Sequence, residues 1–169
     1  MGTLTFVISF LLMPVLTIGC LRIIEYRRKL VVKRSLEKAL GQLIKENELQ
    51  IVDAEFFRNK VIGIDRKHKK LVYADYRKGT IDQFCVDLNL LSFCRVNKII
   101  DNYSNSLKEI LLEVKCKGIN RIFKLTFYDR SFDNIRAKAL LLRKAEQWKN
   151  KIDLYKRNVN FNSQYEYVL

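Results

Sequence analysis

KVIGIDRKHKKLVYADY, residues 60–76, holds two short apolar runs that are separated by a basic turn. The first run is Lys60 to Asp65 and the second is Leu71 to Tyr76, and both are rich in β-branched or aromatic residues. Two runs of this length and composition on either side of a turn are typical of a β-hairpin. The stretch therefore predicts an antiparallel β-sheet at the centre of a domain.

Strand-like patterns continue after this hairpin. Residues 77–79 form the next predicted turn, and the apolar-rich run 84–100 is compatible with one bent strand or two. Beyond a polar loop at 101–106, the runs 107–116 and 121–129 alternate between apolar and polar residues. An antiparallel meander with one face in water is expected. In its last strand, the side chains expected to point inward are Phe123, Leu125 and Phe127, and those expected to point outward are Lys124, Thr126 and Tyr128.

A C-terminal helix is predicted from an N-cap at Ser131 to about Lys156. Apolar residues recur in it at three- and four-residue spacing, at Leu141, Ala145, Trp148, Ile152 and Tyr155. We expect this helix to cover an open side of the sheet, with Trp148 packed between them. The remaining residues, 158–169, are predicted to be a mobile tail.

The N-terminal stretch GTLTFVISFLLMPVLTIGCL, residues 2–21, has no charged side chain. An apolar helix of about 20 residues matches the hydrocarbon core of a bilayer, so residues 1–24 are predicted to be a transmembrane anchor. A second interpretation stays open. Residues 16–20 resemble a bacterial lipobox, which would place a lipid-modified Cys20 on the other side of the membrane.

Residues 25–50 are predicted to form a basic juxtamembrane helix. All 32 Lys and Arg residues lie after the uncharged stretch 2–21, and the formal net charge is +14. Because basic residues near a span are retained in the cytoplasm, the N-terminus is expected outside a plasma membrane or bacterial inner membrane and the domain in the cytosol. A Leu36, Leu40 and Leu43 seam could pack on the domain or on a second copy of the chain.

The candidate sites are basic clusters that could bind anionic lipid headgroups, and no catalytic, cofactor or metal site is predicted. The cluster residues are Arg27, Arg28, Lys29, Lys33, Arg34, Arg66, Lys67, Lys69, Lys70, Arg77 and Lys78. His68, the only histidine, lies in the basic turn and is interpreted as solvated, and Asp65 and Asp75 as strand-end or solvent-facing residues. No phosphate-loop, dinucleotide-binding or zinc-ligand spacing occurs.

Three segments together resemble the pleckstrin-homology-like (PH-like) barrels of small bacterial proteins. They are the hairpin from Val61 through Leu71, the run from Val86 to Leu91 with the strands from 107 to 128, and a final helix carrying Ala145, Trp148 and Ile152. The resemblance covers roughly residues 55–157. It implies a bent sheet closed at one corner by the last helix, and docking to membranes or proteins without catalysis.

The leading hypothesis is therefore a single-pass, non-catalytic docking or scaffold protein in a membrane complex, with a homo-oligomer as one possible form. A tethered nucleic-acid-binding domain is the alternative, because Tyr73, Tyr76, Phe123 and Tyr128 could stack on bases beside basic residues. An enzyme with an unrecognised site is the third hypothesis, and it requires a deep pocket with convergent polar groups.

Overall fold

The computed structural model describes residues 2–77 and 79–165, and it describes side chains for residues 18–77 and 79–155. Two helices and seven strands make up this part of the chain. They are α1 (Gly2–Asn47), β1 (Ile51–Phe57), β2 (Lys60–Asp65), β3 (Lys70–Arg77), β4 (Thr80–Asp87), β5 (Leu91–Asp101), β6 (Ser106–Cys116), β7 (Ile122–Asp129) and α2 (Lys138–Tyr165). The predicted α+β class, with antiparallel sheets and a C-terminal helix, is confirmed.

The strands form two antiparallel sheets. The first has the order β1-β2-β3-β4 and the second the order β5-β6-β7. The central hairpin is β2 paired with β3, from Lys60 opposite Asp75 to Asp65 opposite Lys70, as residues 60–76 predict. The run 84–100 is divided between β4 and β5, which a short 3-10 helix joins, so the chain changes sheets in the middle of it.

The two central strands of the first sheet, β2 and β3, are buried on both faces, so the expectation of one wet face is wrong for them, whereas the edge strands β1 and β4 keep exposed residues. All six residues of β2 are buried, which agrees with a sequence that alternates only weakly between apolar and polar residues. One face of the sheet lies on the core shared with the second sheet and α2, and α1 covers the other. Because α1 shields the outer face, water reaches neither side of the central hairpin.

The leucine seam of α1 packs on the chain's own domain. Leu36 and Ala39 lie in one cluster with Val61 and Ala74, while Leu43 lies in another with Leu49 and Val72. Along β3, α1 therefore passes first over Ala74 and then over Val72. The helix runs antiparallel to β3, and this fixes the direction in which its N-terminal part leaves the domain.

The predicted anchor, residues 1–24, falls mostly on residues whose side chains lie outside the described part. Helical backbone is described from Gly2 onward. Among the described residues, no helix combines the length and the apolar character that crossing a bilayer requires.

Strand β1 was not predicted. The helix was predicted to end at residue 50 and the domain to start at residue 55, so residues 51–54 were assigned to neither.

The last strand also differs from its prediction. A register shift lies between Ile110 and Leu111, where Tyr128 pairs with Ile110 and Thr126 with Leu111. The extra residue, Phe127, is a β-bulge, which turns the next side chain to the other face. Tyr128 is therefore buried in the core and does not point outward.

Helix α2 closes the core as predicted, but it begins later. Asn134, and not Ser131, caps a short 3-10 turn that leads into α2. Leu141, Ala145 and Ile152 are buried in the main cluster, and the backbone of α2 continues through residues 158–165 of the predicted tail. Residues 166–169 lie outside the described residues.

Trp148 packs in the core as predicted and has a polar partner that the sequence did not reveal. Its side chain is buried, and its indole Nε1–H donates to Glu55 on β1 at 2.7 Å. Lys144, one turn earlier on α2, also donates to Glu55. The indole thus fills the space between helix and sheet while its single donor is satisfied.

Replacing Trp148 with alanine is expected to lower the free energy of unfolding by about 3–5 kcal/mol, because a large buried side chain is removed. Trp148→Phe should cost less, since the ring retains most of the volume. The measurement is thermal unfolding of the detergent-solubilised chain. Leu140→Ala, an exposed site on the same helix, is the matched control, and an equal loss of stability in that variant would contradict the assigned role of Trp148.

Candidate functional site

The direction of α1 divides the domain into two ends. Val32 packs with Val61, Ala74 and Tyr76, beside the turn that joins β3 to β4, and we call this the proximal end. The opposite end carries the turn of the central hairpin, residues 66–69, and we call it the distal end. The Gln50 amide, just after α1, donates to Asp65 there at 2.7 Å.

Before α1 reaches the sheet, it carries the first predicted basic cluster. Arg27, Arg28 and Lys29 are exposed, and so is every residue from Ile18 to Lys29. Lys33 and Arg34 are exposed as well, and Lys33 lies 3.8 Å from Glu37 one turn later. We call residues 18–31 the stem, because among the described residues none of its side chains belongs to a buried cluster.

The second predicted cluster lies at the distal end. Arg66 pairs with Asp53 at 2.5 Å, Lys67 is exposed, and Lys69 and Lys70 are half-buried. From Lys29 to the end of α1 the helix rises about 27 Å at 1.5 Å per residue. The structure therefore separates the stem cations from the hairpin cations, although the sequence predicts one lipid-binding set for both.

Arg77 points into a buried network and not toward solvent. Its Nε donates to Asp75 at 2.6 Å, and its Nη1 lies 3.3 Å from Asp129 at the end of β7. A guanidinium that bridges two carboxylates from different sheets has its binding partners within the protein. The other residue predicted in this turn, Lys78, lies outside the described residues.

The same network contains a fully buried lysine and tyrosine. Lys60 Nζ lies 3.9 Å from Asp75 Oδ1 and donates to Asn59 Oδ1 at 2.8 Å. Burial raises the pKa of Asp75 and lowers that of Lys60, and the charge of each partner opposes these shifts. The Tyr73 hydroxyl donates to the Thr126 carbonyl at 3.0 Å and accepts from its amide at 3.1 Å, which ties β3 to β7.

Asp75 is therefore not the solvent-facing residue that the sequence suggested. Residues two apart in a strand lie on the same face of the sheet, and Tyr73, two residues before Asp75, points into the core. This spacing was the signal that could have placed the Asp75 carboxylate on the buried face. Its closest partner, Arg77, lies two residues further along the same strand, whereas Asn59 and Lys60 come from the β1–β2 turn and β2 and could not be read from local spacing.

The hairpin turn is organised by Asp65. This carboxylate is buried and accepts from the His68 amide at 3.0 Å, while the His68 ring Nδ1 lies 2.7 Å from it. Burial acts to raise the pKa of Asp65, but the hydrogen bonds from His68 and from the Gln50 amide outweigh it and hold the pKa at about 2. His68 is thus half-exposed and bonded to the turn, and not simply solvated.

Two of the four aromatic residues proposed for base stacking are not available at the surface, because Tyr73 and Tyr128 are buried. Phe123 and Tyr76 are half-buried and pack partly against the clusters. No group of metal-ligating side chains occurs among the residues that the structure describes. An open depression on the stem is lined by Arg22, Glu25, Tyr26 and Lys29. What the described surface offers is cations and exposed apolar side chains, which suit binding.

No protein family, curated protein or solved structure matches this chain.

The Asp65 carboxylate should make a pH-dependent contribution to stability. Its pKa is depressed in the folded chain, so its stabilisation is complete above about pH 4 and is lost as the pH falls toward 2. Asp65→Asn should lower the melting temperature at neutral pH, and the difference from wild type should shrink across that window. Thermal unfolding of both proteins between pH 2 and pH 7 measures this, and a difference that stays constant over the whole range would contradict the assigned role of Asp65.

Proposed function

We propose that the chain is a single-pass, membrane-anchored docking protein without catalytic activity. Residues 1–24 form the anchor, the part of the stem that follows it, residues 25–31, lies in the interface, and the β-sheet domain contacts protein partners in a membrane complex on the cytosolic side. The observation that carries the proposal is the stem, which is exposed from Ile18 to Lys29 and has both apolar and basic residues.

The apolar residues of the stem surround the helix and do not form one stripe. They include Ile18, Leu21, Ile23, Ile24, Tyr26 and Val31, and each of these six is more than half exposed. At about 100° per residue, these six positions are spread over the whole circumference. Apolar side chains on every side of a helix are stabilised when the surroundings are apolar on every side, as at the end of a membrane span. A protein partner on one side would cover only part of them.

The free energies of apolar burial and of cation attraction also favour a bilayer as the environment of the stem. Burial of each large apolar side chain is worth about 1.5–3 kcal/mol, so several of them in water would forgo a substantial stabilisation. The basic residues Arg22, Arg27, Arg28 and Lys29 follow or interrupt this apolar segment. Near an anionic leaflet, each cation contributes about 1 kcal/mol. Apolar residues that give way to cations along one helix are the pattern expected where a span enters the headgroup layer.

The PH-like resemblance is part of the proposal. Two antiparallel sheets with a shared core and a final helix packed on it support that resemblance. The resemblance implies a docking role. The described surface agrees with that role, because its charged side chains either form ion pairs and hydrogen bonds with other residues or are exposed to solvent. The nucleic-acid alternative loses two of its four stacking residues, because Tyr73 and Tyr128 are buried in the core.

The anchor is tested by alkaline extraction of membranes from cells that produce the full chain. Wild type should stay in the membrane pellet, and Leu11→Arg/Leu12→Arg should be released because two charges in the apolar run oppose insertion. Val52→Arg, at an exposed position of β1, is the control and should remain in the pellet. Extraction of wild type as readily as the double variant would refute the proposal.

The stem cations are tested in the same membranes by protease accessibility. Charge reversal at Arg27, Arg28 and Lys29 should increase the fraction of chains with the domain on the wrong side. The matched reversal at Arg66, Lys67 and Lys69 should leave the orientation unchanged, because those residues lie far from the span. Equal effects of the two triple variants would contradict the division into stem and distal cations.

A further inference from the structure

Exposed apolar side chains stand on the loops of the proximal end, the end where α1 leaves the domain. Tyr103, in the turn between β5 and β6, is fully exposed, and Ile100 beside it is 54% exposed. Phe132 and Ile135, in the connection from β7 to α2, are 49% and 71% exposed. These side chains lie at the tips of separate loops, or in the case of Ile100 at the end of β5, and they do not form a flat face.

Hydrogen bonds hold these loops at one end. Arg130 donates to Ser104 at 3.2 Å and also to Ser106, which joins the β7–α2 connection to the β5–β6 turn. The Phe132 amide donates to the Asp129 carbonyl at 3.0 Å, and Asp129 is the carboxylate that Arg77 contacts at the end of β3. Since β3 ends beside Val32 of α1, the apolar tips and the stem belong to the same end of the molecule.

The exposed charges around these tips are mostly positive. The exposed cations of the loops and adjoining strand ends are Arg58, Lys98, Lys108, Arg130, Arg136 and Lys138. Asp129 and Asp133 are buried and pair with Arg77 at 3.3 Å and with Arg58 at 4.0 Å, and Asp101 bonds to Ser104 and to the Tyr103 amide. Asp82 is exposed and Glu109 half-exposed, so cations remain in excess.

The length of the stem lets the tips reach a bilayer. From Ile24, at the end of the predicted anchor, to Val32, where α1 meets the sheet, the helix rises about 12 Å. The headgroup layer on each side of the hydrocarbon is about 5–8 Å thick. Strand β3 continues past Tyr76 to Arg77, which pairs with Thr80, so the β3–β4 turn extends the proximal end further in the direction of the stem.

We propose that the proximal loops form a second membrane contact, in which Tyr103, Phe132 and Ile135 insert among the headgroups of an anionic leaflet while the surrounding cations bind its phosphates. This inference rests on the proposed anchor. It replaces the hairpin cations Arg66, Lys67, Lys69 and Lys70, which face away from the span, as the lipid-binding part of the domain. Aromatic and aliphatic tips flanked by cations suit the interface, where one end of a side chain is apolar and the other wet.

The test is hydrogen exchange of the full chain in nanodiscs made of neutral phosphatidylcholine or of a mixture with phosphatidylserine. Residues 100–106 and 130–137 should exchange more slowly in the anionic discs, whereas the distal turn 117–122 should exchange alike in both. Equal exchange of the proximal loops in the two lipids, or equal slowing of the distal turn, would overturn the inference. A chain that does not enter the discs at all would instead refute the anchor.

Variants separate insertion from anchoring. Tyr103→Ser/Phe132→Ser/Ile135→Ser should lose the lipid-dependent slowing while the chain stays in the discs. Leu90→Ser/Ile119→Ser, at distal positions that are 44% and 41% exposed, is the matched control and should keep it. Slowing that survives in the triple variant would show that these three side chains do not insert.

Discussion

The packing of α1 along β3 determines most of what this structure can do. Leu36, Ala39 and Leu43 cover the outer face of the first sheet. Because the inner face lies on the main core, the central hairpin is buried on both sides. The same contact points the N-terminal part of α1 away from one end of the sheet. The position of the domain relative to any membrane that holds the stem is therefore a consequence of side-chain packing within the domain.

Buried polar contacts then join the two sheets at that end. Tyr73 bonds to Thr126 across the core, and Arg77 links Asp75 of the first sheet to Asp129 of the second. Breaking one partner of such a network leaves a buried charge without compensation, which is costly. The network therefore holds the proximal turns in fixed positions, close to the stem.

The sequence predicted the elements whose patterns are local. The central hairpin, the alternation of β6 and the apolar stripe through Leu141 and Trp148 were recognised because their periods are visible within a few residues. The bulge at Phe127 was not recognised, since one extra residue is set by pairing with Ile110 and leaves no local signature. Strand β1 was missed although it pairs with the adjacent β2; what no local pattern could show is that its Glu55 bonds to Lys144 and Trp148, some 90 residues away.

The candidate site shows the same division between local and long-range information. That the chain is basic, and that cations follow the apolar N-terminal stretch, could be read directly from composition. Which cations share an end of the molecule could not, because this depends on the direction in which α1 crosses the sheet. Arg66 and Arg27 look equivalent in sequence, yet they lie at opposite ends of the fold.

The central claim is that α1 runs antiparallel to β3, with the stem at the proximal end. Distances between spin labels at Arg28 and Lys67, and between Arg28 and Arg130, measured by pulsed electron paramagnetic resonance on the full chain, test it most directly. With α1 antiparallel to β3, the first pair should be separated by about 30 Å or more, from the rise of the intervening helix, and the second pair by less. A shorter distance from Arg28 to Lys67 than to Arg130 would contradict it.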